Sequence, residues 1–370
     1  MHVAIVTPFL DKGGVGRVVL EIAKRFDADI YTTNYEPADT FEEFQKLNVV
    51  LYKSLASYLP LPKRLRDAAV AAKVFSTLKL EGYDVINCHT SPSEFIRFRN
   101  SPVIWYCHSP NREVYDLYEW RNSRRALPQR LMFSAATYVY KALDSWVVPS
   151  IEHIFTNSRN SQERIRKYLK KEAEVLHPGV NYEKFFNKGY ERYFFYPSRI
   201  SPEKDFEFAI EAFKKFSEKE KGWKLVIGGS LNRQRKEHVE YYEKIKEMLG
   251  SHGEVIVDMS ESQLLNLYAH CYAVLFTPIN EDFGLVPLEG FSAYKPCIAK
   301  AEGGPLETIE HGKDGFLAES TDKMAQFMLE LAGSENLAKK MGLRGRKKVE
   351  KKFNWDILLK RFEEVARSLY

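Results

Sequence analysis

Short runs of β-branched and apolar residues recur along this chain, and each is followed by a segment long enough to form an amphipathic helix. Strands separated by helix-length segments pair in parallel, so this alternation restricts the chain to βαβ units whose sheets are covered on both faces. The runs 2–7, 29–33, 48–52, 84–88, 102–107 and 153–157 read as strands of one series. A second series comprises 194–198, 224–228, 254–258, 273–278 and 296–299. The unbroken apolarity of Leu225-Val226-Ile227 is that of a strand with no solvent face. Between the series lies Leu176-His177-Pro178-Gly179-Val180-Asn181, whose Pro-Gly pair marks a linker. At 370 residues the chain suits two domains of about 150–200 residues each. The expected domains are 1–178 and 179–352, with a terminal amphipathic helix over 353–370.

Composition excludes several classes. The chain is 44% hydrophobic and 28% charged, without a low-complexity tract or repeat, so it is a folded protein. No apolar run reaches the roughly 18 residues a membrane-spanning helix needs. Met1-His2-Val3-Ala4-Ile5-Val6-Thr7 reads as a buried first strand rather than a leader peptide. Cys88, Cys107, Cys271 and Cys297 form neither a C-x-x-C pair nor a disulfide framework, and are expected to be buried thiols in a reducing cytosol. The net charge of +5 belongs wholly to the first half: residues 1–180 hold 25 Lys and Arg against 20 Asp and Glu, and the remainder balances. That bias suits an anionic surface and is also common on a merely solvated face. No nucleic-acid partner is expected.

Chemistry concentrates in Glu281-Asp282-Phe283-Gly284-Leu285-Val286-Pro287-Leu288-Glu289. Pro287 suits the first turn of a helix, and Gly284 lets the preceding loop approach a ligand. Free N–H groups at such a helix start attract anions. Glu281 just before the turn and Glu289, placed in the first turn, would bracket one ligand and accept hydrogen bonds from its hydroxyls. Two glutamates at this spacing alone would be an ordinary acidic helix start; the intervening Phe-Gly-Leu-Val-Pro decides for a ligand. Ser198-Arg199-Ile200-Ser201-Pro202-Glu203-Lys204 follows a strand, where an α/β crevice is expected, and its Arg and Lys would offset charge on a leaving group.

These elements resemble family 4 of the retaining glycosyltransferases over nearly the whole chain. Lys295-Pro296-Cys297-Ile298-Ala299 and Gly303-Gly304-Pro305-Leu306-Glu307-Thr308-Ile309 match the segment after the paired glutamates. The resemblance implies the GT-B fold: two Rossmann-like α/β domains with parallel sheets facing a central cleft, the terminal helix packing back on the first. Glu281 and the amides around Phe283, Gly284 and Leu285 would then hold the donor sugar, and Glu289 the ribose. Arg199 and Lys204 would grip the diphosphate. Gly13-Gly14-Val15-Gly16 lacks the third small residue of a dinucleotide fingerprint, Val19 standing there, and is similar to the family's glycine loop. The family's acidic residue before Arg17 is here Gly16, which leaves Arg17 without an assigned role. His108, ending Trp105-Tyr106-Cys107-His108, matches the family's cleft histidine; His89 is the rival, and His177 reads as structural.

The implied reaction moves a hexose from a nucleotide diphosphate sugar to a hydroxyl of a glycan or lipid-linked acceptor, with retention of configuration and without metal or cofactor. Asp27-Ala28-Asp29 precedes a strand and reads as a strand-entry turn instead of a metal motif. The motifs are most similar to mannosyltransferases of lipid-linked oligosaccharide and lipopolysaccharide assembly, which points to GDP-mannose. A phosphorylase or sugar-nucleotide epimerase of the same fold, and a non-catalytic nucleotide-sugar-binding subunit, remain as alternatives. Leu131, Ala135, Val139, Leu143 and Trp146 recur at near-helical spacing behind Arg121, Arg124, Arg125 and Arg130. Such a helix either lies on an anionic membrane or packs into the core. A cytoplasmic enzyme, peripheral on the inner face of a membrane, is the expected setting.

Overall fold

The computed structural model describes residues 1–58 and 60–369. The chain divides into two compact units, Met1–Pro178 with Trp355–Tyr370, and Gly179–Asn354.

The first unit is built on seven parallel strands: β1 (Val3–Thr7), β2 (Asp29–Thr32), β3 (Val49–Leu51), β4 (Val85–His89), β5 (Val103–Cys107), β6 (His153–Thr156) and β7 (Glu174–Val175). Their order is β3-β2-β1-β4-β5-β6-β7. Every residue of β1, β4 and β5 is buried, which is why these stretches carry no alternation. The winding direction reverses between β1 and β4, and the loops leaving a sheet at such a point border its ligand crevice.

The helix Trp355–Ser368 joins this unit. Leu358, Phe362 and Val365 recur on one helical face and are buried with Val18, Val19 and Ile22 of the helix Gly14–Phe26. The Phe362 ring lies 5.5 Å from that of Phe26, and Arg361 donates to both Glu174 carboxylate oxygens at 2.7 and 3.1 Å.

The second unit holds six parallel strands: β8 (Tyr193–Pro197), β9 (Lys224–Gly229), β10 (Gly253–Val257), β11 (Ala273–Phe276), β12 (Cys297–Lys300) and β13 (Gly315–Ala318). The order β10-β9-β8-β11-β12-β13 puts the reversal between β8 and β11. The parallel, doubly covered sheets are those the alternation predicts. Two strands go beyond it. Glu174–Val175 is too short to show a pattern, and Gly315-Phe316-Leu317-Ala318 has no β-branched residue to mark it.

Residues Leu127–Val147 form one helix, and its orientation corrects the core reading for every residue of the stripe but Leu143, which packs against the first unit's core. Leu131, Val139 and Trp146 are 64%, 57% and 72% exposed, joined outside by Leu127 and Tyr138. The buried face carries Phe133, Thr137, Asp144 and Val147 instead. All four cysteines are free and buried. Asp27 closes its helix in the left-handed region at φ 48°, while Asp29 opens β2 and accepts from Asn48 at 2.7 Å and from the Tyr83 hydroxyl. Asp27 thus serves the turn, and Asp29 braces the entry to the strand.

Candidate functional site

Two loops leave the second sheet at its switch point, one after β8 and one after β11. They are tied together from below. Tyr196, buried at the end of β8, donates its hydroxyl to the Lys204 carbonyl at 2.5 Å and accepts from the Thr277 amide at 3.0 Å. Thr277 Oγ1 donates to the Asp205 carbonyl at 2.8 Å, and the Ile279 amide to the Glu203 carbonyl at 3.0 Å. The two loops form one surface, and across it Lys204 Nζ meets Glu281 Oε2 at 2.8 Å, both side chains largely buried. Arg199 points outward, 55% exposed and 3.7 Å from Glu203.

Gly284 sits at φ 84°, and a Cβ there would come within 2.7 Å of the Phe276 ring, so the turn into the helix Leu285–Ser292 requires glycine. The amides of Leu285 and Val286 fall in the first turn, where no intrahelical acceptor exists; Pro287 has none to leave unsatisfied. Phe283 is buried with its ring 5.9 Å from Phe353. Its side chain belongs to the core, so only its main chain is available to a ligand. Glu289 stands one residue beyond the first turn, a correction that follows from the helix beginning at Leu285. Its Oε2 accepts from the hydroxyl of fully buried Tyr268 at 2.5 Å. Gly303 and Gly304 press on the glutamate loop from the other side. A Cβ on Gly303 would lie 2.6 Å from the Glu281 carbonyl, and one on Gly304 2.1 Å from that of Phe283.

In the first unit, Gly13 caps the helix Gly14–Phe26, its amide donating to Asp11 Oδ1 at 2.9 Å. Gly16 lies against the Asp11 carbonyl, 2.1 Å from where a Cβ would be. Arg17 stacks on Phe41 at 3.9 Å and pairs with Glu21 at 3.4 Å, a structural engagement. His108 follows directly on β5 and is 9% exposed; its carbonyl accepts from Ser161 Oγ at 2.9 Å. Burial pushes its pKa down to about 3. His89 turns out to be its neighbour rather than its rival, with the two rings bonded at 3.1 Å. His177 Nδ1 bonds the Asn157 carbonyl at 2.9 Å. Arg199, Lys204, Glu281, Gly284 and Glu289 thus share one sheet edge in the second unit, and Gly13, Gly14 and His108 belong to the first.

Sequence reasoning missed Tyr196, Thr277 and Tyr268, whose contacts cross the fold. The Gly303-Gly304 pair beside the glutamate motif was its one legible trace.

Two family patterns together span residues 12–348: Glycosyltransferase Family 4 matches residues 12–184, and Glycosyl transferases group 1 matches 181–348. The chain belongs to glycosyltransferase family 4. This glycosyltransferase is 26% identical over 425 aligned positions to the alpha-1,3/1,6-mannosyltransferase ALG2 of Dictyostelium discoideum, covering 100% of the chain and 98% of that relative. Sucrose-phosphate synthase of Thermosynechococcus elongatus superposes with a TM-score of 0.78 at 19% identity, over 100% of this chain and 99% of that one. HepE of Anabaena, solved with UDP and glucose, superposes with a TM-score of 0.74 at 16% identity, over 100% of both chains. The GT-B fold of the family-4 enzyme is thereby the one its motifs imply. Among its described residues no group of three or more His, Cys, Asp or Glu is placed to hold a metal ion.

Proposed function

We propose that the enzyme transfers mannose from GDP-mannose to a hydroxyl of a lipid-linked glycan with retention of configuration. The observation that carries this is the 2.8 Å contact of Lys204 with Glu281, which joins the two charged motifs at the β8/β11 switch point. In this reading the pair parts around the donor: Lys204, with Arg199, offsets charge on the departing diphosphate, and Glu281 accepts from sugar hydroxyls. The first-turn amides of the helix Leu285–Ser292 stand beside them as further donors. Glu289 holds the ribose, His108 is assigned to a sugar hydroxyl, and the Gly13-Gly14 loop to a phosphate. The enzyme's contribution is then mostly positioning and charge stabilisation, with the leaving phosphate oxygen taking the acceptor proton. The full-length likeness to ALG2 favours mannose, whereas the UDP bound by HepE makes a uridine donor the competitor.

Turnover of GDP-mannose against UDP-glucose on a dolichyl- or polyprenyl-linked oligosaccharide tests the donor, and NMR of the product tests the anomer. Preference for UDP-glucose, or a β-mannoside product, refutes the respective half.

A second reading concerns the acceptor's surroundings. The outward stripe of Leu127, Leu131, Tyr138, Val139 and Trp146, flanked by exposed Arg124 and Arg130, supports peripheral attachment to an anionic lipid surface. No helix among the described residues is long and apolar enough to cross a membrane.

A further inference from the structure

A chain of four polar groups runs under the end of the first sheet. It starts at the Ile104 carbonyl in β5, which can only accept. Asn87 in β4 faces it at 3.1 Å, so the amide nitrogen Nδ2 must be turned there. Asn87 Oδ1 is then committed to the other side, where it lies 2.7 Å from His89 Nε2. An amide oxygen cannot donate, so His89 Nε2 carries the hydrogen. A neutral imidazole has only one, which leaves His89 Nδ1 bare. That bare nitrogen stands 3.1 Å from His108 Nε2, which must therefore donate to it.

Each link is fixed by the one before, and the first is backbone. All three side chains are buried, at 0%, 0% and 9% exposure for Asn87, His89 and His108. Tyr106 stacks on His89 at a centroid distance of 5.6 Å and lies tilted against His108 at 4.8 Å, holding both rings. Neither histidine has a carboxylate beside it to favour charge, and burial depresses both pKa values, that of His89 well below the ordinary range. His108 is thus neutral with its hydrogen on Nε2. Its Nδ1 keeps a lone pair and has no hydrogen-bond partner among the described residues.

We infer that Asn87 and His89 are positioning residues that lock His108 as an acceptor, so that His108 Nδ1 takes a hydrogen bond from a ligand hydroxyl and cannot donate one. A phosphate or carboxylate oxygen finds no hydrogen there, and the residue has no proton to give in catalysis. The identity of that hydroxyl as one of the donor sugar's rests on the proposed function; the locked tautomer does not.

The experiment separates the two. The intact protein with ring-15N-labelled histidine is examined by long-range 1H–15N correlation at neutral pH, in wild type, His89→Phe and His89→Gln. Phenylalanine keeps the stack on Tyr106 and removes the acceptor; the glutamine amide can still accept from His108 and donate to Asn87. The expected result is a single Nε2–H tautomer of His108 in wild type, a mixture in His89→Phe, and recovery in His89→Gln. An Nδ1–H or charged His108 in wild type, or an unchanged spectrum in His89→Phe, overturns the relay. With GDP-mannose as probe, kcat/KM should fall about fivefold or more in His89→Phe, the loss of one neutral hydrogen bond, and return in His89→Gln. A mixed tautomer with undiminished kcat/KM overturns the hydroxyl contact and leaves the relay standing. If GDP-mannose is not turned over at all, the donor assignment has failed and the spectra still decide the relay.

Discussion

Tyr268, fully buried in the helix Glu261–His270, reaches up through the core to donate its hydroxyl to Glu289 Oε2 at 2.5 Å. One oxygen of a carboxylate on the next helix is thereby fixed in direction before any ligand arrives. Burial, then the adjacent Glu289 charge, raises the Tyr268 pKa, so the phenol stays a donor at any working pH. We predict that Tyr268→Phe weakens nucleoside diphosphate binding several-fold by calorimetry and costs about 1.5–3 kcal/mol of stability, the value of a hydrogen bond to a charged group. Unaltered affinity would mean that Glu289 does not touch the nucleotide.

The two glutamates should be separable. Glu289→Ala is expected to weaken free nucleoside diphosphate and intact donor alike, whereas Glu281→Ala spares nucleoside diphosphate binding and impairs transfer. A hydrogen bond to a charged group contributes about 1.5–3 kcal/mol, within reach of calorimetry. Equal losses of nucleoside diphosphate affinity in both variants would refute the division of roles.

Lys204→Ala removes the cation that meets Glu281 at 2.8 Å. Turnover should drop about 10²–10³-fold, the usual cost of losing one charge-stabilising contact. Thermal unfolding should move much less, since Lys204 lies in a loop outside the hydrophobic core. Wild-type turnover in the folded variant would remove Lys204 from the machinery.

Gly304→Ala tests how closely the loops are packed. Its methyl group would fall 2.1 Å from the Phe283 carbonyl, which no rotamer change relieves. We expect a loss of about 1–3 kcal/mol from overpacking, together with reduced transfer as the Glu281 loop is displaced. Gly304 itself sits at φ −56°, which alanine adopts freely, so the loss reports the close approach and not backbone strain.

Glu94 and Asp144 form a buried acid pair that predicts a pH dependence. Tyr140 donates to Glu94 and Tyr115 to Asp144, each at 2.8 Å, while Glu94 Oε2 and Asp144 Oδ1 lack a donor and share a hydrogen bond only if one carries a proton. Burial, and then the neighbouring carboxylate, raises the Asp144 pKa; burial raises that of Glu94. The folded state therefore keeps a proton that the unfolded chain releases above about pH 4, and stability falls as pH rises from there towards the folded pKa. Asp144→Asn needs no such proton and still accepts from Tyr115. In urea titrations the variant should gain on wild type as pH increases; a difference independent of pH would sink the assignment.

How far the sequence revealed all this depended on whether a feature was local. Val3–Thr7 and Val103–Cys107 announced themselves by unbroken apolarity, and the Phe-Gly-Leu-Val-Pro turn by its glycine and proline. Tyr196 and Tyr268 looked like ordinary core aromatics, because what distinguishes them is an oxygen facing a residue many positions away. The helix Leu127–Val147 misled for a different reason. Periodicity finds an apolar stripe but not its direction, and here the inward face instead holds Phe133, Thr137 and Asp144, the last bonded to Tyr115 on another segment. Replacing Leu131, Val139 and Trp146 by serine should accordingly leave thermal stability near wild type. The same change should reduce flotation with phosphatidylserine vesicles, most clearly at low salt. Unchanged flotation would detach this helix from the lipid.

The single phenol oxygen of Tyr196, bonded at once to the loop after β8 and to the exit of β11, has a mechanical consequence. The segments bearing Lys204 and Glu281 cannot hinge apart without breaking it, so they respond to load as a rigid plate instead of two independent fingers. Force applied at either charge is felt at the other, and substitutions on the two segments will not have additive effects on binding.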